Sequence, residues 1–157
     1  SFLECFPKLE WAILLSVIKH EMHLFEIVKL DLSLCLRADA TGANPDAPHL
    51  LHKDFSDIIS VLSCLSTYFC ILTQHAAFCG HLDHGLQILD GSHCYANHLI
   101  LLSLQYEWNA ILSYCIEYHQ HQHHEMENSD FTGWELASQE LIMNYLAAHV
   151  HAPTSSS

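Results

Sequence analysis

The stretch LHKDFSDIISVLSCLSTYFCILTQHAAFCG, residues 51–80, decides the fold. Its positions Leu51, Phe55, Ile58, Leu62, Leu65, Phe69, Leu72 and Ala76 alternate steps of four and three, which stacks them on one face of an α-helix. A half-buried strand would need alternate residues instead. Gly80 supplies the C-terminal stop. From Ile58 to Gln74 the chain runs 17 residues without a formal charge, near the lower limit for a membrane span. Ser60, Ser63, Ser66, Thr67 and Thr73, with no Lys/Arg cluster at either flank, favour a buried core helix.

Upstream, Pro7 suits the first turn of a helix, and Leu9 to Leu36 is densely apolar without glycine or a further proline, which predicts one long helix or two in tandem. Asp39 to Pro48 contains Gly42, Asn44, Pro45 and Pro48 and is the clearest internal loop. Downstream, Leu101, Leu104, Trp108, Ile111, Cys115 and Tyr118 repeat the helical arithmetic between Asp90 and Glu125, with Asp90 or Ser92 as the expected N-cap. Thr132 and Glu135 have capping-box spacing ahead of a last, shorter helix. The expected architecture is all-α, a bundle of four to five helices, with residues 1–150 as one domain and 151–157 as a flexible tail. Few glycines and prolines leave little material for the turns of an all-β fold.

Charge then excludes function classes. Eighteen acidic residues face five basic ones, for a net charge of −13 at pH 7. Arg37, Lys8, Lys19, Lys29 and Lys53 cannot neutralise a phosphate backbone, so direct nucleic-acid contact by this segment is not expected. Seven scattered cysteines without a CxxC read as buried free thiols of an intracellular protein. The start at Ser1 reads as the beginning of a piece that carries no visible targeting signal. Fifteen histidines are unusual, and imidazoles charge just below neutrality.

The motifs of an enzyme are missing. His20-Glu21-Met22-His23 has the wrong step for a zinc metallohydrolase and reads as a partly exposed pair. His49/His52 and His81/His84 repeat an i, i+3 spacing, yet no Glu-x-x-His pair supports a bundle carboxylate site. The run from Glu117 to Glu125 reads as a low-complexity surface tract ending a helix. His119 and His123, one turn apart, are its weak candidate metal ligands. No nucleophile elbow, Ser-x-x-Lys or phosphate-cradling glycine loop is present. No catalytic residue and no cofactor are therefore expected in this segment.

Gly85-Leu86-Gln87-Ile88-Leu89-Asp90-Gly91, followed by a Leu-rich helix from Leu99 to Tyr118, resembles a segment of fungal zinc binuclear cluster transcription regulators of the aflatoxin regulatory protein type. Cys35, a loop, Pro48-His49-Leu50 and a helix ending in Leu65-Ser66-Thr67-Tyr68 are similar to the region before it. Gly133 to Val150 looks like the closing helix. The resemblance implies the C-terminal regulatory region of a nuclear regulator of a secondary-metabolite gene cluster. The zinc cluster that contacts DNA would then belong to a separate N-terminal domain. In the resembling segment, Asp90 and Gly91 would turn the chain and cap the helix.

The expected work is packing and recognition: a protein partner or a homodimer, with no membrane contact. The seam expected to carry it is Leu51, Phe55, Ile58, Leu62, Leu65, Phe69 and Leu72. The alternative is a small-molecule site or enzyme whose pocket is lined by His98, Tyr106, Trp108, Tyr114 and Tyr118. A second alternative is a metal-binding helical protein that uses the histidines.

Overall fold

The computed structural model describes residues 2–6, 9–30, 55 and 57–151. The chain is all-α, with five helices and no named strand among the described residues. They are α1 (Trp11–Ile18), α2 (Ile58–Phe78), α3 (Leu82–Gln105), α4 (Trp108–Glu127) and α5 (Gln139–Tyr145), with 3₁₀ turns at Phe2–Cys5, Leu24–Leu30 and Gly133–Glu135. Asp39 to Pro48, His49, Leu51, His52 and the tail after His151 lie outside the described residues.

Helix α2 begins where Asp57, in extended backbone, accepts a hydrogen bond from the Ser60 N–H through its carboxylate at 2.9 Å. It ends in a Schellman turn: His81 N–H donates to Ala76 O, Gly80 N–H donates to Ala77 O, and Gly80 takes φ +79°. The helix has 21 residues and a mean hydropathy of 1.4, long and apolar enough to cross a membrane on those grounds alone. Here Val61, Cys64, Leu65, Tyr68, Phe69, Ile71, Leu72 and Ala76 are buried in the protein's own core. α2 packs most extensively on α3, and α3 also packs on the Gly133–Glu135 turn.

Several boundaries differ from expectation. The long N-terminal helix stops at Ile18, because His20 takes φ 58° and the chain continues through a connector into the Leu24–Leu30 turn. Leu89-Asp90-Gly91 forms no turn or cap. It lies inside the 24-residue α3, which starts at Leu82. The stripe from Leu101 to Tyr118 is not one helix: the chain breaks at Tyr106–Glu107, where Tyr106 is extended at φ −126°, ψ 158°. The last helix is also shorter than the span to Val150. Thr132 makes no side-chain cap, and α5 is capped by Ser138, whose Oγ accepts from Leu141 N–H at 3.2 Å. The chain then returns to the α3–α4 break, where Glu107 N–H donates to His149 O at 2.9 Å.

The core centres on Trp134. Its ring meets Phe69 at 4.8 Å, Tyr95 at 5.1 Å, and Tyr118 and His119 at 5.7 Å, and its indole N–H points to Met126 Sδ at 3.4 Å. Gly91 is the reason α3 can approach this ring, since a Cβ there would stand 2.7 Å from Trp134 Cβ. α3 therefore buries Gly85, Ile88, Gly91, Tyr95, Leu99 and Leu102. Its other face is left outside.

Candidate functional site

Two features stand out against this core. The first is the outer face of α3, where Leu82, Leu86, Leu89, Ile100, Leu101 and Leu104 are between 43% and 72% exposed. Single exposed leucines are ordinary, but here six large apolar side chains stand on one helix in two clusters, Leu82, Leu86 and Leu89 and then Ile100, Leu101 and Leu104, with His93 and Asn97 between them, and such clusters mark interaction surfaces. Beside this face, α2 and α3 leave a groove of about 500 Å³ lined by Leu62, Leu65, Phe69, Leu89, His93 and Ala96, among others.

The second feature is a seam of imidazoles between α4 and the connector after α1. His119 is 0% exposed and His123 is 7% exposed, with ring centroids 4.3 Å apart. His20 and His23 reach within 6.5 Å and 6.4 Å of His123. His119 Nε2 lies 3.0 Å from Met22 O; a carbonyl only accepts, so this nitrogen carries the proton. His119 Nδ1, His123 Nε2 and His20 Nδ1 are buried without a hydrogen-bond partner. Burial, reinforced by His123 and then His23, pushes His119 down to about 3. Burial, with His20 and His23 adding to it, pushes His123 down to about 4. His20 is lowered by burial against an opposing pull from Glu127. His119, His123 and His20 are thereby held in the neutral form at pH 7.

The expected surface tract is therefore a correction: His119, Gln122 and His123 belong to the buried face of α4. Hydropathy misses them, but the four-and-three arithmetic finds them: from Ile111 and Cys115 it continues through His119, His123 and Met126, and from Tyr118 it reaches Gln122. Among the described residues, no group of three His, Cys, Asp or Glu side chains stands where a metal could be held. Next to the seam, a second cavity of about 540 Å³ is lined by His20, His75, Cys79, His81, His84 and Glu127 together with apolar side chains. In it, Cys79 Sγ lies 3.4 Å from His75 Nε2, and the His81 and His84 rings stack at 5.2 Å.

The residues of the expected seam lie on α2. Leu65, Phe69 and Leu72 are buried in the core, Phe55, Ile58 and Leu62 are half-buried against it, and Leu51 is outside the described residues. Of the expected pocket, His98 Nε2 is hydrogen-bonded to the Tyr114 hydroxyl at 2.8 Å, and Tyr114 and Tyr118 stack at 5.6 Å. Burial raises Tyr114 to about 12, and it lowers His98. The Tyr118 hydroxyl stands 2.7 Å from both Gly133 O and Leu136 O and can donate to one at a time. Trp108 donates its indole N–H to Phe55 O, and Tyr106 pairs with Val150. Neither the α2–α3 groove nor the helix-end cavity is lined by any of these five.

The cysteines also depart from expectation. Cys64 and Cys115 are buried, the Cys115 thiol being pushed up to about 12 by burial, but Cys5, Cys70, Cys79 and Cys94 are exposed.

Comparison with known protein families, with characterised proteins and with solved structures finds no match.

Proposed function

We propose that this chain is a helical interaction module that pairs with a second copy of itself through the outer face of α3. The single observation that carries this reading is the row of exposed apolar side chains on that face. The spacing of the row supports a second copy as the occupant. Leu82, Leu86, Leu89, His93, Asn97, Ile100 and Leu104 follow steps of 4, 3, 4, 4, 3 and 4, a pattern symmetric about His93. An antiparallel two-fold pair then sets Leu82 against Leu104, Leu86 against Ile100, Leu89 against Asn97, and His93 against its own copy. This is the self-complementary arrangement that a closed dimer requires. The row extends for about 33 Å at the rise of an α-helix.

Sedimentation equilibrium of the full chain at pH 7.5 tests the reading, with Leu86→Lys/Leu104→Lys as the variant. A dimer that the double substitution converts to a folded monomer supports it. A wild-type monomer at every concentration, or a dimer the substitutions leave intact, overturns it.

The small-molecule and metal readings have less behind them, because Tyr114 and Tyr118 are buried in the core with Tyr106 and Trp108 packed against it, and no metal-holding group is found among the described residues. The setting of a nuclear zinc-cluster regulator rests on the resemblance around Leu89-Asp90-Gly91, and the interaction reading does not depend on it. Coding sequence upstream of Ser1 tests that setting: six closely spaced cysteines in a basic segment support it.

A further inference from the structure

We infer that the imidazole seam is an acid-operated latch, which holds residues 19–30 on the helical core at neutral pH and releases them as the seam takes up protons. The inference rests on where the donors and acceptors lie. The connector is anchored by the Met22 carbonyl, which accepts from His119 Nε2 at 3.0 Å across 97 residues of chain. Below it, Leu24, Ile27 and Leu30 are buried in the core.

A proton added to His119 must go to Nδ1, which is buried and faces no acceptor. A proton added to His123 at Nε2 meets the same situation. Either charge would also stand beside other imidazoles rather than a carboxylate, since His119, His20 and His23 surround the His123 ring.

The groups that face the seam from the neighbouring elements do not relieve this. α2 presents the Tyr68 ring 5.1 Å from His119, and His75, which acts on His20 as a like charge. α3 presents His84, packed on Phe131, and His81, which acts on His75 in the same sense. The 3₁₀ turn presents Trp134. Lys19 lines the adjoining cavity, and Glu127 on α4 favours the charged form of His20. Relief comes when the connector leaves and water reaches the rings. The latch is built from α4 and the connector and uses none of the exposed apolar side chains of α3, so it stands or falls independently of self-association.

Hydrogen exchange read by mass spectrometry on the full chain, from pH 7.5 to pH 5 and corrected for intrinsic rates, tests the latch. The opening equilibrium of residues 19–30 should rise about tenfold per pH unit for each proton taken up, while α2 and α3 stay protected. His119→Gln keeps a side-chain N–H for Met22 O and cannot be protonated, so its pH dependence should flatten. His123→Gln supplies the same test if the first variant does not fold. Protection of residues 19–30 that is flat with pH, or lost together with α2 and α3, overturns the latch, as does a Gln variant with the wild-type slope.

Discussion

The outer face of α3 and the seam between α4 and residues 19–30 reverse the usual placement of side chains. Leucines stand in water on the first, and imidazoles are buried in the second. Both follow from how closely the backbones approach. Gly91 lets α3 lie against Trp134 along its glycine-bearing side, so the leucines point the other way. On α4, the face that reaches Trp134 and the connector carries His119 and His123, whose neutral rings pack as flat, partly apolar bodies, with the His119 N–H satisfied by Met22 O. Hydropathy ranks residues by average behaviour. Here the contact geometry decides which side of each helix is inside.

Breaking the shared centre should have the largest effect. Trp134→Ala is expected to lose about 3–5 kcal/mol in urea unfolding, because both regions rest on that ring. Acid should act next. The folded-state values of His119 and His123, about 3 and about 4, lie below the ordinary 6.5. Their contribution is therefore complete above pH 6.5 and is lost as pH falls from 6.5 toward 4. The loss is up to about 1.4 kcal/mol per pH unit for each imidazole, read as a falling urea midpoint.

Glycine substitutions sharpen the comparison on the α3 side. Gly91→Ala forces a Cβ to within 2.7 Å of Trp134 Cβ and should destabilise by about 1–3 kcal/mol, even against the helix-propensity gain of about 1 kcal/mol. Gly85→Ala meets Thr73 O at 3.5 Å and Ala76 Cβ at 3.7 Å, ordinary contacts, and should be neutral or slightly stabilising. The smallest effect on stability belongs to the outer face: Leu86→Lys/Leu104→Lys should stay within about 0.5 kcal/mol per site in the monomer. Its consequence is for association.

The all-α class was legible because the periodicity of residues 51–80 is strong, and Asp57 and Gly80 bound α2 with recognisable cap chemistry. The break at Tyr106–Glu107 carries no glycine or proline, so the apolar arithmetic ran on across it. Asp90-Gly91 has the composition of a turn, but packing against Trp134 keeps it helical. The regular spacing on α2 marks core rather than an interaction face, and the equally regular spacing on α3 is masked in the sequence. Gly85, Asp90 and Gly91 have the composition of a boundary between two elements, although all three lie inside the helix. The imidazole seam was hidden because its parts are 97 residues apart and no local pattern joins Met22 to His119.

Hydroxyl-radical footprinting of the full chain at pH 7.5 over a concentration series tests the reversal most directly, since it reads leucine and histidine side chains in one experiment. The account predicts that at high dilution Leu86, Leu101 and Leu104 are oxidised while His119 and His123 are protected. The leucines alone should become protected as concentration rises. Oxidation of His119 and His123 to the level of exposed His121 and His124, or leucines protected at every dilution, would contradict it.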